Sequence, residues 1–354
     1  MPESMSVTPP QLDTNPAAGK PQDAGNPGVN RISSKRRPGD AAFFGLSMAS
    51  AISIMAILAG VAIFLIVQGL PAITANWATQ PDLNGIPNPA HTPWSSFWEY
   101  VAPLLWGSLW SALIALVLGA PVAIGIALFI SHYAPRRLAS SLGYLIDLLA
   151  AVPSIVFGLW GIIVIRPFLL PLSHFLNEYF GWIPLFSGQV SSTGSTMLAG
   201  GVVLAVMILP IITAITREVF LQTPRLNEEA ALALGATRWE MIRLAVLPYA
   251  RSGMVSATLL GLGRALGETM AIALIISPSI LFSVNLLTEG YNSQTIAANI
   301  ALNFPIATEI GRSALVGTGL MLFVVSLAVN ILARYIVSVS GPKTEQRRKR
   351  GKRS

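Results

Sequence analysis

The sequence predicts an all-α protein, a polytopic membrane bundle of six transmembrane helices, on three observations. Of the 354 residues, 53% are hydrophobic and only 11% are charged, whereas soluble domains carry roughly 25% charged residues. Six apolar runs are long enough to cross a hydrocarbon core of about 30 Å. Lysine and arginine are distributed unevenly between the segments that join these runs. Since a single span must satisfy its own backbone hydrogen bonds, each run is expected to be a helix.

The N-terminal segment, 1–42, is rich in Pro, Gly, Asn, Ser and Asp and lacks periodic apolar residues. It is predicted to be a disordered cytoplasmic tail. The first apolar run follows the basic stretch RISSKRRPG and is long enough to remain in the membrane as an anchor. A transmembrane domain is expected over 43–338, with spans at about 43–68, 102–130, 140–165, 196–216, 253–280 and 313–336.

The positions of lysine and arginine predict the orientation. Twenty of the 23 basic residues lie in the tails and loops of one side. Two, Arg166 and Arg312, lie in the outer loops of the other side, and Arg264 lies within a span. Because basic residues accumulate on the cytoplasmic side, a multi-pass protein of the cell membrane with both termini cytoplasmic is expected. The basic tail, 339–354, is interpreted as a topology signal that attracts lipid headgroups, and nucleic-acid binding is not expected.

The loops of the other side carry aromatic residues and few charges. Amphipathic rings commonly anchor at a membrane interface, and that role is predicted for Trp77, Trp94, Trp98, Trp182 and Tyr291. The chain has no cysteine, and its three histidines lie far apart in the sequence. Neither a metal site nor a cofactor is expected in this chain. No G-x-x-x-x-G-K-[ST] stretch occurs, so this chain is not expected to bind ATP in a P-loop of its own.

The long cytoplasmic loop, 217–252, is organised as two short helices. Thr223 before Pro224 is typical of a helix start, and Gly235 suits a helix end because glycine accepts a left-handed conformation. Thr237 and Glu240 have the spacing of a capping box, which predicts a second helix running toward Leu247. From the residues alone, the loop is either an interfacial amphipathic hairpin or a docking element for a cytoplasmic partner.

The order Glu229, Ala230, Ala231, then Gly235, then Leu247-Pro248 resembles the EAA loop of permease subunits of binding-protein-dependent ABC importers. One position departs from that pattern, since Ala245 stands where isoleucine is usual. The resemblance implies a type I ABC importer permease architecture in which this loop couples the spans to the ATP-binding subunit. It implies that Glu229, Ala230, Ala231 and Gly235 are the contact and corner residues.

Two charged residues interrupt the fifth apolar run, in the stretch LGLGRALGETMA. Arg264 is expected near the bilayer midplane, where an arginine costs roughly 2.5–3.5 kcal/mol and is usually functional. Glu268 lies four residues on, on the same face of a continuous helix. One interpretation is a buried ion pair that fixes helix packing. The other is a transient oxyanion site in which Arg264 binds the anion and Glu268 balances the charge when the site is empty.

The stretch GRALGETMA resembles the fifth span of the C-type permease subunit of phosphate-specific (Pst) importers. Three further stretches resemble the same subunit: AVPSIVFGLWG, LPIITAITREVF and TIAANIALNF. The resemblance implies transport of phosphate by alternating access, with Arg264 and Glu268 on the substrate path. The partners it implies are a second related permease subunit, two ATP-binding subunits and an extracytoplasmic phosphate-binding protein.

The residues leave two alternatives to a phosphate importer. An importer of the same architecture for another oxyanion, such as sulfate or molybdate, fits the same charged residues. A membrane enzyme or an ATP-independent channel is disfavoured, because the spans hold no convergent set of titratable groups and a channel needs no organised docking loop.

Overall fold

The computed structural model describes residues 38–77, 94–277 and 279–340. The predicted tails, 1–42 and 339–354, therefore lie almost entirely outside the described residues. The chain divides into two units, 1–56 and 57–354. Within the described residues, the first unit holds the beginning of one long helix, and the second holds all the remaining elements.

The described residues form helices and no strand. Three of the helical stretches contain a π-helical segment: Phe129–Tyr133, Gly161–Ile165 and Ile242–Val246. The α-helices are α1 (Pro38–Thr74), α2 (Phe97–Leu128), α3 (Arg136–Ala150), α4 (Ser154–Trp160), α5 (Arg166–Phe180), α6 (Met197–Leu221), α7 (Arg225–Ala233), α8 (Arg238–Met241), α9 (Leu247–Leu266), α10 (Met270–Ile275), α11 (Ile296–Asn303) and α12 (Glu309–Ser340).

Five helical stretches among the described residues are long and apolar enough to cross a membrane. They are Ala42–Thr74, Phe97–Tyr133, Ser154–Phe180, Met197–Leu221 and Glu309–Tyr335. The predicted all-α membrane fold is confirmed. Four of the five overlap the first, second, fourth and sixth predicted spans closely, whereas the third and fifth predicted spans differ.

The third predicted span, 140–165, is wrong as a continuous helix. The chain forms the amphipathic helix α3, which buries only Gly143 and Ile146, and then breaks before Pro153. Proline lacks an N–H and disfavours helical geometry in the preceding residue, so the helix ends there. The membrane-crossing stretch begins at Ser154 and continues through Arg166 to Phe180. Arg166 was placed in an outer loop by its charge, but the helix continues through it because its guanidinium finds acceptors on neighbouring elements.

The fifth predicted span, 253–280, is also interrupted. Helix α9 begins earlier, at Leu247, and ends at Leu266, and the short helix α10 begins at Met270. Gly267 closes α9 with φ −90° and ψ 0°, outside regular helical geometry. The two intramembrane charges therefore lie on opposite sides of a helix break.

Helices α2, α6 and α9 pack closely through glycines. A Cβ on Gly119 of α2 would lie 3.0 Å from the carbonyl oxygen of Ala205 in α6, and one on Gly261 of α9 would lie 2.6 Å from Ile212 Cδ1. In lipid, where apolar side chains gain little from leaving solvent, such close approach supplies dispersion contacts that hold helices together. The end of α1 meets α12 in the same way, with Gly69 against Gly317.

Two of the aromatic residues predicted at the interface are instead buried in the fold. Trp77 is 2% exposed and Trp94 is 8% exposed, and both pack against Tyr100. Trp98, Trp182 and Tyr291 are exposed. Trp77 also donates a hydrogen bond from Nε1 to the carbonyl of Ala72 over 2.8 Å, so its polar atom is satisfied inside the protein rather than at a headgroup.

The loop 279–295 is fixed to α2 by close backbone approach. Trp106 Nε1 donates to the carbonyl of Ser283 over 2.7 Å. A Cβ on Gly107 would come within 2.4 Å of the carbonyl oxygens of Ser293 and Gln294. Those are backbone atoms, which cannot move aside like the end of a flexible side chain.

We expect Gly107→Ala to destabilise the fold by about 1–3 kcal/mol, because the new methyl group overpacks this contact. The matched control is Gly125→Ala in the same helix, where a Cβ would meet nothing within 4 Å. That change should be neutral or slightly stabilising, since alanine is the better helix former. Thermal unfolding of the purified variants in detergent measures the difference, and equal midpoints would contradict it.

Candidate functional site

The two short helices predicted in the loop 217–252 are present, with two shifts. Helix α7 has Pro224 rather than Thr223 as its N-cap, one residue later than expected. The second helix does not stop near Leu247. It begins at α8 and continues through the π-helical segment Ile242–Val246 into α9. There the N–H of Leu247 bonds to the carbonyl of Ile242, and this wider turn accommodates Pro248, which has no N–H to donate.

The corner between α7 and α8 is formed as predicted. Gly235 has φ +85°, the left-handed conformation that side chains other than glycine adopt at a cost. Thr237 and Glu240 form a complete capping box. The Thr237 N–H donates to Glu240 Oε2 over 2.7 Å, and the Glu240 N–H donates to Thr237 Oγ1 over 3.3 Å. Thr237 Oγ1 also donates to Glu240 Oε2 over 2.8 Å. The hydrogen bonds that the carboxylate accepts from the backbone N–H and the hydroxyl of Thr237 lower the pKa of Glu240.

Helix α7 presents an exposed surface. None of its residues is buried, and Leu226 and Leu234 at its ends are 75% and 90% exposed. Of the four residues singled out in the sequence, Glu229, Ala230 and Gly235 are exposed, whereas Ala231 packs inward against the cluster around Phe220 and Met241. The helix is therefore attached by one face and open on the other.

A contact that the sequence did not predict links α7 to the π-helical segment Phe129–Tyr133 that follows α2. Glu228 Oε1 lies 3.7 Å from His132 Nε2, and His132 Nδ1 is 2.7 Å from Ser131 Oγ. The imidazole also meets the ring of Phe220 edge-on, with 6.2 Å between centroids. The two partners are far apart in the sequence, and no spacing signal connects them. Only the packing of α2 against α6 reveals the contact.

Arg264 lies in the last turn of α9 and is partly buried. Its Nε is buried and has no hydrogen-bond partner among the described residues. The guanidinium lines an open cleft of about 840 Å³ between α6, α9 and α12. The cleft is lined by Ile211, Ser256, Leu259, Leu260, Gly263, Arg264, Asn330 and Arg334.

Asn330 and Arg334 are residues of this cleft that sequence reasoning did not single out. Arg334 was counted with the basic C-terminal region as a topology signal. The spacing of the two residues indicates a common helix face, since positions four apart on a helix lie on the same side. Arg264 thus shares its cleft with a second arginine and an amide, both groups that donate hydrogen bonds to oxyanions.

Glu268 is not placed one helical turn beyond Arg264 as predicted, because α9 ends between them. The glutamate is 8% exposed. Its Oε1 accepts a hydrogen bond from the N–H of Ala271 over 3.3 Å, at the start of α10. Within the part of the chain that the structure describes, Glu268 and Arg264 form no ion pair with each other. The break leaves Arg264 in the lining of the cleft and engages the carboxylate with the next helix.

A second, smaller cavity of about 500 Å³ lies in the loops at the opposite end of the chain's spans from α7. It is lined by Ser191, Asn285, Thr288, Glu289 and other loop residues. Ser191 Oγ donates to Glu289 Oε2 over 2.7 Å. Partial burial raises the pKa of the Glu289 carboxyl, but hydrogen bonds from Ser191 and Thr193 and the positive charge of Arg166 together hold it below its ordinary value.

Among the described residues, no group of three His, Asp or Glu side chains is arranged to hold a metal ion.

Residues 119–340 match the model of a family described as "Binding-protein-dependent transport system inner membrane component". The chain is 47% identical over 298 residues to the "Phosphate transport system permease protein PstC 2" of Mycobacterium tuberculosis, covering 82% of this chain and 89% of that protein. It is 41% identical over 288 residues to a PstC permease of Xylella fastidiosa, covering 79% and 87% of the two chains. A probable PstC permease of Methanocaldococcus jannaschii is 35% identical, covering 77% and 85%.

Among solved structures, a bacterial alginate ABC transporter in complex with its periplasmic protein matches with a TM-score of 0.55 at 16% identity. The match covers 84% of this chain and 94% of that chain. At this level of identity the similarity concerns the fold, which is that of an ABC importer permease.

We expect the contribution of Glu289 to stability to depend on pH. Because its pKa in the folded protein lies below the ordinary 4.5, the carboxylate stabilises the fold above that value. This stabilisation is lost as the pH falls through the folded pKa. Glu289→Gln should therefore lower the unfolding midpoint at neutral pH, and the deficit should shrink as the pH falls below 4.5. Glu309→Gln, which does not line this cavity, is the control. A deficit that is constant with pH would contradict the prediction.

Proposed function

The chain belongs to the family of binding-protein-dependent transport system inner membrane components, and on that premise we propose that it is the permease subunit of an ATP-driven importer of inorganic phosphate. The observation that carries the proposal is Arg264, a partly buried arginine that lines a cleft and whose Nε is buried without a hydrogen-bond partner among the described residues. A charge so placed in a membrane protein is costly unless a ligand engages it. The phosphate permeases among the relatives favour phosphate as that ligand.

The oxyanion-site interpretation is favoured over a structural ion pair. A pair that fixed helix packing would hold its two charges in contact, whereas Arg264 and Glu268 form no ion pair in the described part of the chain. The planar guanidinium donates two parallel hydrogen bonds to an oxyanion. Glu268, if it accepts a hydrogen bond from the anion, would distinguish protonated phosphate from sulfate, which carries no proton near neutral pH. A sulfate or molybdate importer remains the alternative, with less support from the relatives.

Alternating access requires the cleft to open to each side in turn. The distribution of basic residues places both termini and the loop 217–252 in the cytoplasm. The cavity around Glu289 then belongs to the extracytoplasmic side. In this orientation Arg264 would pass phosphate toward the cytoplasmic end of α9 and α12, where Arg334 lines the same cleft.

Coupling to ATP is proposed to occur through α7 and α8. Glu229, Ala230 and Gly235 are exposed there, and the apolar side chains of Leu226 and Leu234 give a docking surface for an ATP-binding subunit. The sequence holds no P-loop, so this chain is a transporter subunit that neither binds nor hydrolyses ATP. The assembly would comprise a second related permease subunit, two ATP-binding subunits and an extracytoplasmic phosphate-binding protein.

We expect Arg264→Gln to reduce uptake of labelled phosphate by about tenfold to 100-fold, since a hydrogen bond to a charged group is worth roughly 1.5–3 kcal/mol. Arg264→Lys should recover part of the rate, because lysine keeps the charge but not the planar fork. Arg312→Gln, which removes an arginine from the beginning of α12, is the control and should transport normally. Unchanged uptake with Arg264→Gln would exclude the anion site. Preferential uptake of labelled sulfate or molybdate by the unmodified transporter would support the alternative.

We expect Gly235→Val to uncouple transport while membrane insertion is retained. The corner needs a positive φ, which costs roughly 1–2 kcal/mol for other residues. Space is not limiting, since a Cβ at Gly235 meets nothing within 4 Å. Gly235→Asn is therefore the matched control, because asparagine tolerates this conformation. The measurement is ATP hydrolysis stimulated by the loaded binding protein. Full stimulation with Gly235→Val would count against the docking role.

A further inference from the structure

The short helix α10 is held at both ends by charged side chains. At its beginning, Glu268 accepts a hydrogen bond from the N–H of Ala271. At its end, Arg166 Nη2 donates to the carbonyl of Leu274 over 2.9 Å and to the carbonyl of Ile275. A carboxylate at the start and a guanidinium at the end both match the helix dipole. They also satisfy backbone groups that a helix of only six residues leaves unpaired.

Arg166 reaches α10 from a different membrane span, the stretch Ser154–Phe180. Its contact is reinforced by Ser195, which accepts from Arg166 Nη2 over 3.0 Å and donates to the carbonyl of Ile275 over 2.8 Å. Asn292 Nδ2 in turn donates to the carbonyl of Ser195 over 3.1 Å. The carbonyl end of α10 is thus joined by side-chain hydrogen bonds to a second span and to the loop 283–295.

The sides of α10 are held as tightly as its ends. Ala271, Ile272 and Ile275 are at most 1% exposed. A Cβ on Gly158 would lie 3.1 Å from Ala271 Cα, and one on Gly161 would lie 2.7 Å from Ile275 Cδ1. With the span of Arg166 packed this closely along it, α10 behaves as a rigid connector, so displacement at one end is transmitted to the other.

Glu289 extends the connection from α10 to the second cavity, which this residue lines. Its carboxylate accepts a hydrogen bond from Ser191 and is attracted by the charge of Arg166 across a distance longer than a direct ion pair. The positive charge of Arg166 is therefore shared between α10 and the outer loop. Arg166 therefore interacts with α10, whose start is capped by Glu268, and with the loop that carries Glu289.

We propose that Arg166 is a positioning residue, which fixes α10 by its carbonyl end and thereby sets the place of Glu268 beside the cleft of Arg264. The role in transport rests on the proposed function, because Glu268 matters for uptake only if the cleft is the anion path. The mechanical part does not depend on it. Loss of Arg166 should release α10 and expose the break at Gly267–Thr269, whether or not phosphate is transported.

The absence of cysteine from the sequence makes the test direct. Thr269, the N-cap of α10, is only partly exposed, and Thr269→Cys introduces the one thiol of this chain. The labelling rate of that thiol by a maleimide is measured in membranes carrying the assembled transporter, with and without Arg166→Gln. We expect the rate to rise about tenfold, the effect of losing hydrogen bonds from a charged donor.

Three further variants separate positioning from a general loss of stability. Arg312→Gln removes a positive charge from the beginning of α12, where Arg312 stacks over Phe304 at 5.8 Å, and should leave labelling unchanged. Arg166→Lys should give a smaller rise, because lysine retains the charge but not the fork. Ser195→Ala removes the bridging hydroxyl while leaving the arginine in place, and should give an intermediate rise in a folded protein. It also serves if Arg166→Gln does not fold.

Unchanged labelling in both Arg166→Gln and Ser195→Ala would overturn the proposal, whatever happens to uptake. An equal rise with Arg312→Gln would overturn it too, since the effect would then follow any lost outer charge. The maximal rate of labelled phosphate uptake, measured in parallel, should fall with Arg166→Gln. Normal uptake together with raised labelling would retain the positioning role and reject only its link to the anion site. If Arg264→Gln left phosphate uptake unchanged while the labelling results were as expected, only the proposed function would be contradicted.

Discussion

A bilayer offers no water to an unpaired backbone group, and this constraint governs the break between α9 and α10 within the fifth predicted span. A short helix such as α10 leaves backbone N–H groups unpaired at its start and carbonyl groups unpaired at its end. Glu268 satisfies an N–H at the start of α10, and Arg166 satisfies the carbonyls at its end. Two charges that would be costly in lipid thus become the means by which an interrupted span is tolerated.

The same constraint explains which parts of the fold were predictable from the sequence. Apolar length predicted α1, α2, α6 and α12, because a span must be about that long. The capping box at Thr237 and the glycine corner at Gly235 were predictable as well, since the required atoms lie within a few residues of each other. A cap or a turn can be predicted from the sequence when the residues that form it belong to one short segment.

The errors arose where the partner of a charge lies far along the chain. Arg166 was assigned to a loop because a charge in a span is rarely tolerated, yet its acceptors are the carbonyls of Leu274 and Ile275, more than 100 residues away. Glu268 was assigned to the helical face of Arg264 because nothing local showed that α9 ends at Leu266. Trp77 was assigned to the interface because its burial against Phe97 and Tyr100 emerges only on packing.

The helix break also divides the candidate anion site between two mechanical connections. Arg264 ends a helical path that runs without interruption from the capping box of α8 through α9, so it is joined through helix to the exposed corner at Gly235. Glu268 caps the start of α10, which hydrogen bonds from Arg166 and Ser195 connect to the outer loops. Alternating access needs a site whose two sides can move relative to one another. Gly267, at the junction of the two paths, is loosely packed, since a Cβ there would come no nearer than 3.6 Å to atoms beyond its chain neighbours. Under the proposed function, the separation of the two charges, which a continuous helix would have prevented, would let one side of the site respond to the ATP-binding subunit and the other to the outer loops.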